Sequence, residues 1–188
     1  MLGCMRAEEV QSDITRVLVT EEQIRAKLDE IAAQVTADYE GKELLLVGVL
    51  KGAVMVMADF ARALPAHMTM DWMAVSSYGT GTRSSGVVQI RKDLDTDLHG
   101  KHVLIVEDII DSGLTLSWLL TNFASRGAAS VEVFALFRKP DAAKVEVDCR
   151  YIGFDIPNEF VVGYGLDYGE AYRNLRYVGV LRPEVYSS

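Results

Sequence analysis

Apolar positions along the chain alternate between two periods. After a Thr20-Glu-Glu-Gln23 capping box they recur at Ile24, Leu28, Ile31 and Val35, so the spacing predicts a surface helix over Thr20–Tyr39, closed by Gly41. Leu44–Val49 is instead an unbroken apolar run of strand length, as expected of a strand covered on both faces. Val54, Met57, Ala58 and Ala61 then return to helical spacing until Pro65. The same succession follows at His102–Ile109, a second buried-strand run, with Leu116, Leu119, Leu120 and Phe123 at helical spacing and a Gly127 stop. Val131–Phe137 is a third such strand. Strands alternating with helices predict an α/β fold with a mainly parallel sheet flanked by helices and right-handed crossovers. Past Asp148 the rhythm breaks into short apolar runs, Tyr151–Ile156, Phe160–Gly165 and Tyr177–Leu181, read as a small strand-rich hood over the sheet.

Composition narrows the class. With 188 residues, 49% hydrophobic and 24% charged, the chain is expected to form a single globular domain behind a polar leader of residues 1–12; disorder and collagen are excluded. The 19 Lys+Arg against 27 Asp+Glu leave a net charge of −8, a field that repels a phosphate backbone, so no nucleic-acid partner is expected. The most apolar stretch, Leu44–Ala58, is shorter than the roughly 20 residues a bilayer needs and contains Lys51, so no membrane partner is expected either. The opening MLGCMRAEEV lacks an apolar h-region, and Cys4 and Cys149 are too few for a disulfide framework. A cytoplasmic protein with free thiols is the expectation.

Ligands of open parallel sheets bind beyond the carboxyl ends of the strands, so chemistry is sought there. The run Val103–Val106 ends in Glu107 and Asp108, then Asp111, then a small turn, Ser112, Gly113, Leu114 and Thr115, that opens a helix. Free amides and hydroxyls at a helix start form an anion site suited to a phosphate. Adjacent ionised carboxylates accept hydrogen bonds from sugar hydroxyls or hold Mg²⁺. The combination points to a sugar phosphate; the competing reading is that Asp111 or Ser112 merely caps the helix. No G-x-x-x-x-G-K-[ST] occurs, and Tyr78–Gly86 lacks the third glycine of a dinucleotide fingerprint. Asp93–Asp97 imitates the start of a calcium loop but has Leu98 at the glycine position.

The stretch VLIVEDIIDSGLT resembles the phosphoribosyl-pyrophosphate signature of the type I phosphoribosyltransferases. GVLKG at Gly48–Gly52, Ser77-Tyr78 before a glycine-bearing loop, LFRKP at Leu136–Pro140 and FVVGYGLDY at Phe160–Tyr168 resemble the hypoxanthine-guanine branch of that family, in the same order, from about Val17 to Leu181. The resemblance implies a purine salvage enzyme that joins hypoxanthine or guanine to the phosphoribosyl group of 5-phosphoribosyl 1-pyrophosphate, giving IMP or GMP and pyrophosphate. A phosphoribosyltransferase preferring xanthine or another 6-oxopurine, or a non-catalytic nucleotide-sensing RNA-binding regulator on the same fold, are the alternatives. The resemblance also implies a homodimer or homotetramer.

Residue roles come with the resemblance. Glu107 and Asp108 are similar to the residues that hold the ribose hydroxyls and Mg²⁺, Asp111 to the acid/base at purine N7, and Ser112–Thr115 to the 5′-phosphate cradle. Lys139 resembles the donor that reads the 6-oxo group, Phe160 the ring that stacks on the purine, and Val161 the backbone that reads its edge. Lys51 and Gly52 resemble the pyrophosphate loop, which in the family carries a non-proline cis peptide. Asp167 resembles a second metal carboxylate and Arg173 a pyrophosphate partner. Residues 77–91, opening on Ser77 and Tyr78, are expected to be a mobile active-site loop, with Tyr78 over the pyrophosphate.

Overall fold

Residues 7–77 and 88–187 are described by the structure, a computed structural model. Tyr78 and the rest of 78–87, most of the expected active-site loop, lie outside the described residues, as do residues 1–6 of the expected leader. In chain order the elements are α1 (Ala7–Ser12), β1 (Ile14–Val19), α2 (Glu21–Asp38), β2 (Leu44–Leu50), α3 (Val54–Ala63), β3 (Thr69–Ser77), β4 (Val88–Lys92), β5 (His102–Ile110), α4 (Leu114–Ser125), β6 (Ser130–Arg138), β7 (Tyr151–Asp155), β8 (Val161–Val162), β9 (Val178–Leu181) and α5 (Pro183–Tyr186). The capping box forms: Thr20 Oγ1 accepts from the Gln23 amide at 3.3 Å, and the Gln23 side chain accepts from the Thr20 amide at 2.9 Å.

Six strands make the main sheet in the order β4-β3-β2-β5-β6-β7, parallel except where β3 pairs with β4. Its two faces explain the unbroken apolar runs. Leu44 and Leu46 enter the core shared with α2 and α3, whereas Leu45 and Val47 enter the opposite core with Leu116, Leu119 and Phe123 of α4. A separate antiparallel sheet, β1-β9-β8, packs Val19, Val161 and Val180 onto the first of these cores.

Three expectations need correction. The run at Tyr151–Ile156 is not hood: β7 extends the main sheet as a parallel edge strand, Tyr151 opposite Phe134. The connection from β6 contains only a short 3-10 turn, Pro140–Ala142, so no helical period marks the crossover in the sequence. The hood instead recruits β1 from just past the leader, pairing with β9. Beyond Val162 the Phe160–Gly165 run leaves the extended conformation, with Gly163, Tyr164 and Gly165 all at positive φ. The strand β3 carries no clean apolar alternation because its buried Asp71 accepts from the amides of Trp72, Asp95 and Thr96. Of the Asp93–Asp97 motif, Asp93 pairs with Arg126 at 2.8 Å and Asp95 with Lys92 at 3.1 Å, which makes it a bridged turn.

Candidate active site

The carboxyl ends of β2, β5 and β6 converge, and the predicted residues meet there. β5 carries Glu107 and Asp108 in its last residues, and Gly113 stands as the N-cap of α4 with φ 78 and no side-chain cap. Neither Asp111 nor Ser112 caps the helix, so its first amides are open to a ligand. The turn is held from behind: the Ser112 carbonyl accepts from the amides of Lys144 and Val145 at 3.0 and 3.2 Å. A Cβ on Gly113 would lie 2.6 Å from the Val145 carbonyl oxygen, so the turn needs glycine for space as well as for φ. A cavity of about 210 Å³ lies against Asp111, Ser112, Gly113 and Thr115, with Leu114 half-buried as the first residue of the helix.

A second cavity, of about 310 Å³, shares Glu107 and Asp108 with the first and adds Lys51, Gly52, Val161, Asp167 and Arg173. The Leu50–Lys51 bond is cis, as the family resemblance implies. A Cβ on Gly52 would meet Asp108 Oδ2 at 1.9 Å and one on Gly165 would meet the Gly52 carbonyl oxygen at 2.0 Å, so glycines bring the two loops and the carboxylate together. Burial, then the charge of Asp108, drives the Glu107 carboxyl well above its ordinary range. Burial likewise raises Asp108 to about 6, against the opposing effect of the Ile109 amide that donates to its Oδ1 at 2.9 Å.

Basic groups in this second cavity are already engaged. Arg173 Nη2 lies 2.8 Å from Asp167 Oδ1 and 3.2 Å from Glu170 Oε1, while Nη1 donates to the Gly165 carbonyl at 2.7 Å. Lys51 Nζ donates to Glu170 Oε2 at 2.8 Å, and the Glu170 amide donates to Asp167 at 2.9 Å. The Lys51 and Arg173 side chains therefore lower the Glu170 carboxyl from its usual range. Glu170 is the residue sequence reasoning missed; only its place three residues after Asp167 and before Arg173 hinted at it.

Lys139 and Phe160 flank the cavities rather than line them. The Lys139 amide donates to the Ile110 carbonyl at 2.9 Å, which sets it beside exposed Asp111 at the end of the neighbouring strand. Phe160 is 38% exposed just ahead of β8. Ser77 ends β3, opposite Val88. Cys149 is a free thiol pushed up to about 11 by burial, which disfavours its thiolate. A third cavity, about 630 Å³, lies between α2, α3 and residues 174–176; several of its polar groups already pair with one another, Tyr164 with Asp59 at 2.6 Å and Arg176 with Glu21 at 3.2 Å.

An α/β sheet with an uncapped helix at a strand end, beside buried Glu107 and half-buried Asp108, suits a sugar phosphate, and residues 18–169 match the family described as Phosphoribosyl transferase domain. The chain is 56% identical to the hypoxanthine-guanine phosphoribosyltransferase of Mycobacterium tuberculosis over 186 residues, covering 96% of this chain and 92% of that protein. It is 53% identical to the enzyme of the same name from Streptococcus agalactiae, covering 95% and 99%. A crystal structure of a hypoxanthine phosphoribosyltransferase from Staphylococcus aureus superposes with a TM-score of 0.92 at 48% identity, covering 95% of this chain and 97% of that one. The chain belongs to the hypoxanthine-guanine phosphoribosyltransferase family.

Proposed function

We propose that the chain transfers the phosphoribosyl group of 5-phosphoribosyl 1-pyrophosphate to N9 of hypoxanthine or guanine, with the residue roles that the family resemblance implies. The observation that carries these roles is the uncapped α4 N-terminus behind Gly113, with exposed Asp111 at its mouth. The 5′-phosphate takes the amides and hydroxyls of Ser112–Thr115. Ribose hydroxyls reach the carboxyl groups of Asp108 and Glu107. Asp111 takes the proton from purine N7; the N9–C1′ bond forms as the bond from C1′ to pyrophosphate breaks, and the departing charge is met by Lys51 and Arg173. Lys139, an obligate donor, reads the 6-oxo group and leaves an adenine amine unpaired. Phe160 stacks on the base and the Val161 backbone reads its edge.

Asp108 and Asp167 face one cavity, and the charge of Asp167 adds to the burial that raises Asp108. Two like charges facing one cavity fit a divalent cation, so Asp108 and Asp167 would hold Mg²⁺, with Glu107 beside Asp108. Two carboxylates suffice, since Mg²⁺ keeps waters and takes substrate phosphate oxygens for the remainder. There it would supply charge neutralisation for the leaving pyrophosphate. The family reading also implies a cytoplasmic homodimer or homotetramer, to be checked by cell fractionation and sedimentation.

The test is a competition assay. Given phosphoribosyl pyrophosphate, Mg²⁺ and equal hypoxanthine, guanine, xanthine and adenine, the enzyme should make IMP and GMP and leave adenine untouched. Lys139→Gln should weaken discrimination against adenine while the KM for phosphoribosyl pyrophosphate holds. AMP formation by the unmodified enzyme would overturn the Lys139 reading, and XMP as the main product would move the base preference to xanthine.

A further inference from the structure

We propose that Tyr186, on the terminal turn of helix α5, positions the purine-stacking ring by covering the face of Phe160 turned away from the substrate. This rests on the stacking role given to Phe160 above. Phe160 is one of three large apolar side chains exposed among the described residues, with Val17 and Met70. It sits directly before β8, where side chains alternate between two environments. Val161 enters the core beneath the small sheet, whereas Val162 enters a separate cluster with Tyr172 and Leu181 on the other face. Tyr168 and Tyr186 pack against that outer cluster. The Tyr186 ring stacks on Phe160 with centroids 4.8 Å apart and planes 22° apart, and Tyr168 meets both rings edge-on, at 5.7 and 6.5 Å. One face of Phe160 thus belongs to the outer cluster, and its exposed remainder is left for a base.

The backbone fixes this arrangement. The Leu181 amide donates to the Phe160 carbonyl at 2.9 Å, locking β9 beside the aromatic residue, and the Arg182 amide donates to the Asp13 carbonyl at 2.9 Å. Pro183 then sets the first φ of α5, and a single turn carries Tyr186 back over the Phe160 ring. A half-exposed phenylalanine without such support samples several rotamers, and binding must then fix one of them. With Tyr186 stacked behind it, the platform is already oriented. The hydroxyl makes no hydrogen bond with a described residue, so the ring alone does this work.

The experiment compares Tyr186→Ala, Tyr186→Phe, Phe160→Ala and the double variant Phe160→Ala/Tyr186→Ala by steady-state kinetics of the full chain. Tyr186→Ala should raise the KM for hypoxanthine about three- to tenfold, the range of an aromatic stacking pair, and leave kcat and the KM for phosphoribosyl pyrophosphate unchanged. Tyr186→Phe should restore the original KM. In the Phe160→Ala background the Tyr186 change should add nothing, since the two act through one contact. An unchanged purine KM in Tyr186→Ala, beside a raised one in Phe160→Ala, would overturn this proposal alone. A lowered purine KM would also overturn it, because the tyrosine would then stand where the base binds. An equal rise in both KM values would reduce Tyr186 to general stability. An unchanged purine KM in Phe160→Ala would remove the stacking reading itself and this proposal with it.

Discussion

Two regions proposed to bind anions meet at Glu107 and Asp108, and they are held in opposite ways. The turn at Ser112–Thr115 relies on backbone amides left open by the absence of any side-chain cap and held by the 144–145 loop behind them. The corner at Lys51, Asp167, Glu170 and Arg173 relies on side-chain charges that already neutralise one another. Backbone donors cannot turn away and need no internal partner, whereas long charged side chains take whatever counter-charge is near. The first region is a preformed socket, and on the proposed function the second would exchange Glu170 for pyrophosphate.

Of the changes that separate the two regions, the largest effect should come from Asp108, one of the two carboxylates they share. Asp108→Asn keeps the acceptor for the Ile109 amide but removes the charge, and activity should fall about 10–10²-fold, the worth of a charged hydrogen bond. Its stability should move the other way. Because the folded state raises Asp108 from 3.8 to about 6, its contribution favours folding below the unfolded value and is lost as pH rises through about 6. The Asn variant should therefore melt about 2–6 °C higher at pH 7.5, with the gain gone below about pH 4. Thermal melts across that range check both halves; a lower melting temperature at pH 7.5 would contradict the buried-charge account.

Gly113→Ala probes the socket alone. The added Cβ meets the Val145 carbonyl and forces a left-handed alanine, so the KM for phosphoribosyl pyrophosphate should rise about tenfold. Purine affinity should change little. Glu170→Gln probes the corner and should have the smallest effect. Releasing Lys51 and Arg173 from an exposed carboxylate should strengthen pyrophosphate product inhibition only about two- to threefold, as suits a surface pair. Weaker inhibition would mean that Glu170 helps the corner rather than competes for it.

The same contrast decides what the sequence revealed. Strands β2, β5 and β6 were legible because burial on both faces writes an unbroken apolar run, and the acids after Val106 stood out against it. The socket was legible for the same reason, since its glycine, hydroxyls and carboxylates follow one strand directly. The corner was not: Lys51, Asp167, Glu170 and Arg173 come from two distant loops, and each alone is an ordinary surface charge. Only the family resemblance placed Lys51, Asp167 and Arg173 there, and Glu170 stayed unseen. The strand β7 was misassigned because its crossover lacks a helix, and β1 was missed because only Val19 of its six residues is buried. Asp111, by contrast, could be read either as cap or as base until Gly113 proved to be the N-cap.

Proton transfer by Asp111 is the centre of the account, and one variant tests it directly. Asp111→Asn preserves shape and hydrogen-bonding capacity but removes the base, so kcat for IMP formation should fall about 10²–10⁴-fold while the KM values for hypoxanthine and phosphoribosyl pyrophosphate stay close to those of the unmodified enzyme. Near-normal kcat in that variant would contradict the assignment.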